Sequence, residues 1–167
     1  KLGDKSIEPR DNLVRIYPQK NLFSHIIGQI DNDNNGISGL EKSLDEKLKK
    51  VQDPIKLSVD KDIQFLIRDE LIKFNRIFNT KGSSAILMNV NNGEILSLVS
   101  LPDFDLNKRD KITDVNFINR ATKGVYEFGS VFKTFTIAAA LNEKIIEPET
   151  KFVDLPKSLT CAGFPIR

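Results

Sequence analysis

Between Asp53 and Pro102 the hydrophobic pattern changes period twice, and no other feature constrains the fold as much. Ile55, Leu57 and Val59 alternate with Lys56 and Ser58, a period of two that predicts a short half-buried strand. Asp60 then stands where a helix cap is needed. From Lys61 to about Phe78, residues Ile63, Leu66, Ile67, Leu71, Phe74 and Phe78 recur at three- and four-residue steps, with Asp62, Arg68, Asp69 and Arg76 on the other face. Two strand-like runs follow, Ser84 to Val90 and Glu94 to Leu101, joined by Asn91-Asn92-Gly93. Asn-Gly between such runs signals a hairpin, because both central residues can take positive φ, and Pro102 ends the second strand. A strand, a capped helix and a hairpin in succession predict an α+β fold.

The flanks differ in character. Asp31-Asn32-Asp33-Asn34-Asn35-Gly36 is a turn cluster, and Leu40, Leu44 and Leu48 beyond it recur as on one helix face. These first fifty residues read as a small appendage. Residues Asp103 to Lys123 are polar and irregular. Between Phe128 and Leu141 the only charged side chain is Lys133, which predicts a helix enclosed inside a domain. Pro148 and Pro156 then mark a loop-rich end.

Composition narrows the function classes. The chain has 167 residues, 40% apolar and 29% charged, an ordinary globular balance. A formal charge of +2, with no long block of like charge, implies no nucleic-acid partner. Cys161 is the lone cysteine and His25 the lone histidine, so no zinc spacing exists and neither metal nor cofactor is expected. No apolar run approaches the roughly 20 residues that span a bilayer. The segment reads as soluble, with any anchor lying upstream.

The sharpest chemical feature is Glu127-Phe128-Gly129-Ser130-Val131-Phe132-Lys133-Thr134. If a helix starts near Gly129, Ser130 lies in its first turn and Lys133 three residues on, on the same face. A serine hydroxyl becomes a nucleophile when a neighbour takes its proton, and a lysine can do so once burial lowers its affinity for protons. A helix N-terminus adds free N–H groups where an oxyanion would form. Ser58-Val59-Asp60-Lys61 repeats the spacing by chance among eleven serines, and its position between a strand and an exposed helix marks it as a decoy. Spacing alone also leaves open a structural reading, with Ser130 as a helix cap and Lys133 extended to solvent.

A resemblance runs through most of the chain. Arg15-Ile16-Tyr17-Pro18, His25-Ile26-Ile27-Gly28 and Gly36-Ile37-Ser38-Gly39-Leu40-Glu41 are similar to pedestal segments of class B penicillin-binding proteins. Leu57-Ser58-Val59-Asp60 with Ile63-Gln64, Asn89 to Leu96, Leu101 to Asn107, Asn119-Arg120-Ala121 and Tyr126 to Lys133 continue the match in order. Phe74-Asn75 before Gly82-Ser83-Ser84-Ala85 makes the division-specific penicillin-binding protein 3 type the nearer likeness.

The resemblance implies a partial pedestal over residues 1–52 and the N-terminal part of a transpeptidase domain over 53–167. It implies Ser130 as the acyl-accepting nucleophile and Lys133 as its general base in a peptidoglycan D,D-transpeptidase of cell division. The substrates would be stem peptides ending in D-Ala-D-Ala, and β-lactams would acylate the same serine. Divisome and glycosyltransferase proteins would be partners, at the periplasmic side of the inner membrane, the parent protein being anchored upstream. Such enzymes also use a Ser-x-Asn segment and a Lys-Thr-Gly strand, and neither occurs in these 167 residues, so the site is incomplete here. Phe128 replaces the usual proline, and the connector from Leu48 to Ile55 is short. Glu41 is read as structural and paired with Arg15, His25 as a packing or surface residue, Cys161 as a loop thiol and Asn91-Asn92-Gly93 as structural. Two alternatives stand beside the enzyme: a non-catalytic scaffold of the cell-wall machinery, and a serine β-lactamase or β-lactam sensor, against which the pedestal-like blocks argue. A hairpin with an unpaired edge also predicts self-association.

Overall fold

The computed structural model describes residues 14–50, 53–108 and 114–166. It divides into two compact units between Val125 and Tyr126. The first contains α1 (Ser24–Ile27), α2 (Gly39–Ser43), α3 (Asp45–Lys50), α4 (Lys61–Phe78), β1 (Ser83–Met88), β2 (Ile95–Leu101), α5 (Asp114–Phe117) and α6 (Arg120–Lys123). The α+β expectation is met.

α4 begins where its cap requires. The Asp60 carboxylate accepts from the Asp62 and Ile63 amides, each at 2.9 Å, and Asn79 closes the helix in the left-handed conformation with φ of 48°. The buried side coincides only in part with the apolar stripe read from spacing: Ile63, Ile67 and Leu71 are half-buried, but the centre of the covered side is polar. Gln64 is 1% exposed, whereas Leu66, Phe74 and Phe78 are 48–62% exposed. Arg68 does not face solvent either: its guanidinium is paired through Nε with the Asp103 carboxylate and reaches Asp103 Oδ1 at 3.3 Å. Among the described residues the helix packs on a two-stranded sheet, so one narrow side is covered, and Gln64 and Arg68 find their partners there.

Gln64 explains why polar chemistry is tolerated against β2. Its amide nitrogen donates to the Leu22 and Leu98 carbonyls at 3.0 and 2.8 Å, and its oxygen accepts from Ser97 Oγ at 2.7 Å and the Leu98 amide at 2.9 Å. One side chain thus meets both backbone groups of Leu98, as a neighbouring strand would. The segment 55–59 shows the expected alternation of half-buried and exposed residues but forms no strand. It lies along β2 through Ser58 Oγ to the Ile95 carbonyl (2.8 Å) and the Asp60 amide to the Leu96 carbonyl (2.9 Å).

β1 and β2 pair antiparallel from Ser83 opposite Leu101 to Met88 opposite Ile95, with a register shift at Leu87/Met88. β1 ends two residues before Val90. The connection is wider than a two-residue turn: the Asn89 amide reaches the Glu94 carbonyl, the Gly93 amide reaches the Asn89 carbonyl, and of Asn92 and Gly93 only Gly93 has positive φ (77°). The bulge supplies the adjustment that a pair of positive-φ residues was expected to supply.

The residues before 50 form α2 and α3 with a break at Leu44 in place of a single helix. At the break, the Asp45 carboxylate accepts from the Gly36 amide at 3.0 Å and so ties α3 to the preceding turn. Within that turn Asp31 Oδ1 accepts from the Asp33 and Asn35 amides. Gly28 and Gly39 have φ of 79° and 58°, and their backbones meet so closely that a Cβ on Gly28 would collide with the Ser38 carbonyl. A core of Tyr17, Phe104 and Leu106, with Ile27 against it, joins this part to the segment after β2. The Asn107 side chain completes the join, accepting from the Tyr17 amide and donating to the Tyr17 carbonyl, both at 2.9 Å.

The second unit contains a 3₁₀ turn (Gly129–Phe132), α7 (Lys133–Asn142), β3 (Leu159–Cys161) and β4 (Phe164–Ile166). The β3–β4 hairpin corrects the loop-rich reading and places Cys161 in a strand. Its turn is Ala162-Gly163, with φ of 48° and 84°, the pair of positive values a tight hairpin needs. Pro165 in the second strand hid the signal. α7 departs from expectation as well: Phe135 and Ile137, and Phe132 in the turn before it, are 48–63% exposed, so its own unit does not enclose it.

Candidate active site

Phe128 is in the right-handed helical region and Gly129 in the left-handed one, with φ of 56°, so the chain turns sharply just before Ser130. A non-glycine residue would be strained at Gly129, although space around it is open. The Val131 amide then donates to the Phe128 carbonyl at 3.2 Å and the Lys133 amide to the Ser130 carbonyl. In a 3₁₀ turn residues three apart eclipse one another, so Ser130 and Lys133 share a face before the chain continues as α7. That agrees with the spacing argument. Both side chains are exposed, however, and among the described residues neither hydroxyl nor ammonium has a hydrogen-bond partner. The apolar enclosure expected for Lys133 is not supplied within its unit, because Val131, Phe132 and Phe135 project outward as well.

The decoy pair is committed elsewhere. Ser58 Oγ bonds the Ile95 carbonyl, and Lys61 pairs with Asp62 at 3.5 Å. Glu41 is structural, as expected: it is buried and accepts from Arg15 at 3.1 Å. His25 is a packing residue, with Nε2 at 2.7 Å from the Asn116 carbonyl oxygen and its ring edge-on to Phe104 at 5.4 Å between centroids. Burial holds its imidazole below the ordinary value, partly opposed by the Asn116 bond and by Asp103. Gln64 and the Arg68–Asp103 pair are the polar features that spacing missed. A glutamine one step from an apolar position, next to Ile63, was the available signal for the first.

Comparison with known proteins points the same way. Residues 83–161, which include Ser130 and Lys133, match the penicillin binding protein transpeptidase domain. The chain is similar to penicillin-binding transpeptidases through most of its length. It is 38% identical over 155 residues to the probable peptidoglycan D,D-transpeptidase FtsI of Caulobacter vibrioides, covering 90% of this chain and 26% of the relative. It is 32% identical to stage V sporulation protein D of Bacillus subtilis, covering 84% of this chain and 26% of the relative. Among solved structures, penicillin binding protein 3 of Mycobacterium tuberculosis superposes with a TM-score of 0.78 at 26% identity, over 92% of this chain and 36% of that one. The same protein has been solved with ampicillin and with aztreonam. The chain therefore spans about a quarter of the length of the curated relatives it matches. The likeness to the penicillin-binding protein 3 type read from Phe74-Asn75 and Gly82 to Ala85 is borne out by these relatives.

Proposed function

We propose that this chain carries the nucleophile-bearing part of a peptidoglycan D,D-transpeptidase of cell division, with Ser130 the acylated residue and Lys133 its general base. The observation that carries the reading is the eclipsed placement of Ser130 and Lys133 at the start of α7, inside the segment that matches the family. Ser130 Oγ would attack the carbonyl of the penultimate D-Ala, Lys133 would take the hydroxyl proton, and the terminal D-Ala would leave with a proton. A β-lactam would acylate the same oxygen, its ring C–N bond opening. In this reading residues 1–52 are the C-terminal part of a pedestal and residues 53–167 the N-terminal part of the transpeptidase domain. Stem peptides are the substrates, divisome and glycosyltransferase proteins the partners, and the periplasmic face of the inner membrane the site of action.

The chain itself is expected to react slowly or not at all with penicillin. It has no Ser-x-Asn and no Lys-Thr-Gly segment, and losing one oxyanion-hole donor alone costs about a hundred- to a thousandfold in rate. Intact mass after exposure to fluorescent penicillin tests the assignment, with a slow adduct in the wild-type chain that is absent in Ser130→Ala. Rapid stoichiometric acylation would refute the incomplete-site argument, and an adduct that persists in Ser130→Ala would refute the nucleophile. No adduct at long times would favour the scaffold reading for this segment.

A further inference from the structure

The sequence contains two Asn-Gly pairs, Asn35-Gly36 and Asn92-Gly93, and the structure treats them differently. Asn-Gly is the dipeptide in which the following amide nitrogen most readily reaches the side-chain carbonyl, since glycine offers no Cβ to obstruct it. Both asparagines are exposed, so access of water does not distinguish them. Restraint does.

Asn35 is held from three sides. Its amide nitrogen donates to Asp31 Oδ2 at 3.0 Å, its side-chain oxygen accepts from Lys49 Nζ at 2.8 Å, and its backbone N–H donates to Asp31 Oδ1 at 2.8 Å. The nitrogen that would attack, that of Gly36, donates to the Asp45 carboxylate at 3.0 Å. A carboxylate acceptor opposes removal of that amide proton, since deprotonation would set two negative charges face to face. Gly36 also lies hard against the Glu41 carbonyl. Reaction at Asn35 requires the turn, α2 and α3 to separate together.

Asn92 is held only by its own loop. Its side chain bonds Glu94, through Nδ2 to Oε2 at 2.9 Å and through Oδ1 to the amide at 3.0 Å. The Gly93 amide donates to the neutral Asn89 carbonyl at 2.8 Å, and among the described residues, its two chain neighbours aside, nothing comes within 4 Å of where a Gly93 Cβ would sit. Fraying of residues 89–94 frees every participant at once, and exposed loop tips open at low free energy.

We propose that Asn92 is a site of spontaneous deamidation and that the fold protects Asn35. The Gly93 nitrogen loses its proton to hydroxide and attacks Cγ of Asn92. The bond from Cγ to the side-chain nitrogen breaks, ammonia leaves, and a cyclic imide forms. Water then opens the imide at Cγ, giving aspartate, or at the main-chain carbonyl, giving isoaspartate with the chain running through Cγ. One water is consumed and one ammonia released, with no change of oxidation state. The product carboxylate faces Glu94 in place of the amide that bonded it, so the loop that closes β1 on β2 is weakened at the modified position.

The test follows both asparagines in one sample. The full chain is incubated in warm, mildly alkaline buffer, and peptide mapping measures aspartate and isoaspartate at each position, with and without urea. In native buffer position 92 is expected to convert at least about tenfold faster than position 35, a gap set by the difference in opening free energy. In urea the two rates are expected to converge, and Asn92→Gln is expected to remove the native-state product while leaving the hairpin bonds available. Equal native rates, or faster conversion at Asn35, would overturn the proposal. So would a gap between the positions that persists undiminished in urea, because the difference would then be local sequence and not the fold.

Discussion

Replacing Gln64 by leucine removes an amide that meets four groups without changing much volume. The Leu22 and Leu98 carbonyls, the Leu98 amide and the Ser97 hydroxyl each lose the partner described above. A buried polar group left without a partner costs about 1–3 kcal/mol, so four of them set a floor near 4 kcal/mol, with readmitted water keeping the sum toward that end. Domains of this size are stable by only about 5–15 kcal/mol, so the loss is a large share of the total. Urea unfolding of the full chain followed by far-ultraviolet circular dichroism gives the stability, and amide exchange at Leu98 gives the local effect. Gln64→Glu sharpens the test. An ionised carboxylate can still accept from Ser97 and Leu98 but confronts two carbonyl oxygens, so the folded state prefers the protonated acid and raises its pKa. A raised folded pKa places that variant's stability at low pH and removes it as pH rises through the folded value. Loss well short of about 4 kcal/mol in Gln64→Leu, or a Gln64→Glu chain that gains no stability in acid relative to the unsubstituted chain, would refute the role assigned to this side chain.

Two further outcomes follow from the same unit. Burial depresses the His25 pKa from its ordinary 6.5, so the unfolded chain takes up the proton first; stability should be full above that value and decline as pH falls below it. Asp103 and Arg120 act on the imidazole from the elements packed around it, and His25→Asn should flatten the decline in urea midpoints between neutral and mildly acidic buffer. Gly28→Ala should be among the most damaging single changes, by about 4 kcal/mol or more, because it combines a strained positive φ with collision against the Ser38 backbone. Thermal unfolding measures it, and a shift within experimental scatter would show that Gly28 and Gly39 can separate without loss.

How far the fold could be read from the sequence depends on whether each signal was local. The helix Lys61–Phe78 was legible to its ends because the Asp60 cap and the apolar recurrence both lie within it. The side it buries was legible only in part: Ile63, Ile67 and Leu71 of the stripe are half-buried, but burial centres on Gln64 and leaves Phe74 and Phe78 exposed, because that depends on which strand lies alongside. The same reasoning accounts for 55–59, where alternation gave burial correctly but the Ser58 and Asp60 contacts to β2 took the place of a ladder. Asn92-Gly93 announced a hairpin, yet the bulge at Leu87/Met88 decided its turn. At Ser130 the backbone relation to Lys133 was local and therefore readable. Whether Lys133 is desolvated is a tertiary property, and the exposed Phe132, Phe135 and Ile137 show that an apolar sequence around a lysine does not by itself bury it. The chemistry proposed for Ser130 therefore turns on what covers α7: a helix apolar nearly all round carries the Ser130–Lys133 face, and excluding water from that helix and making the lysine a base are one physical requirement.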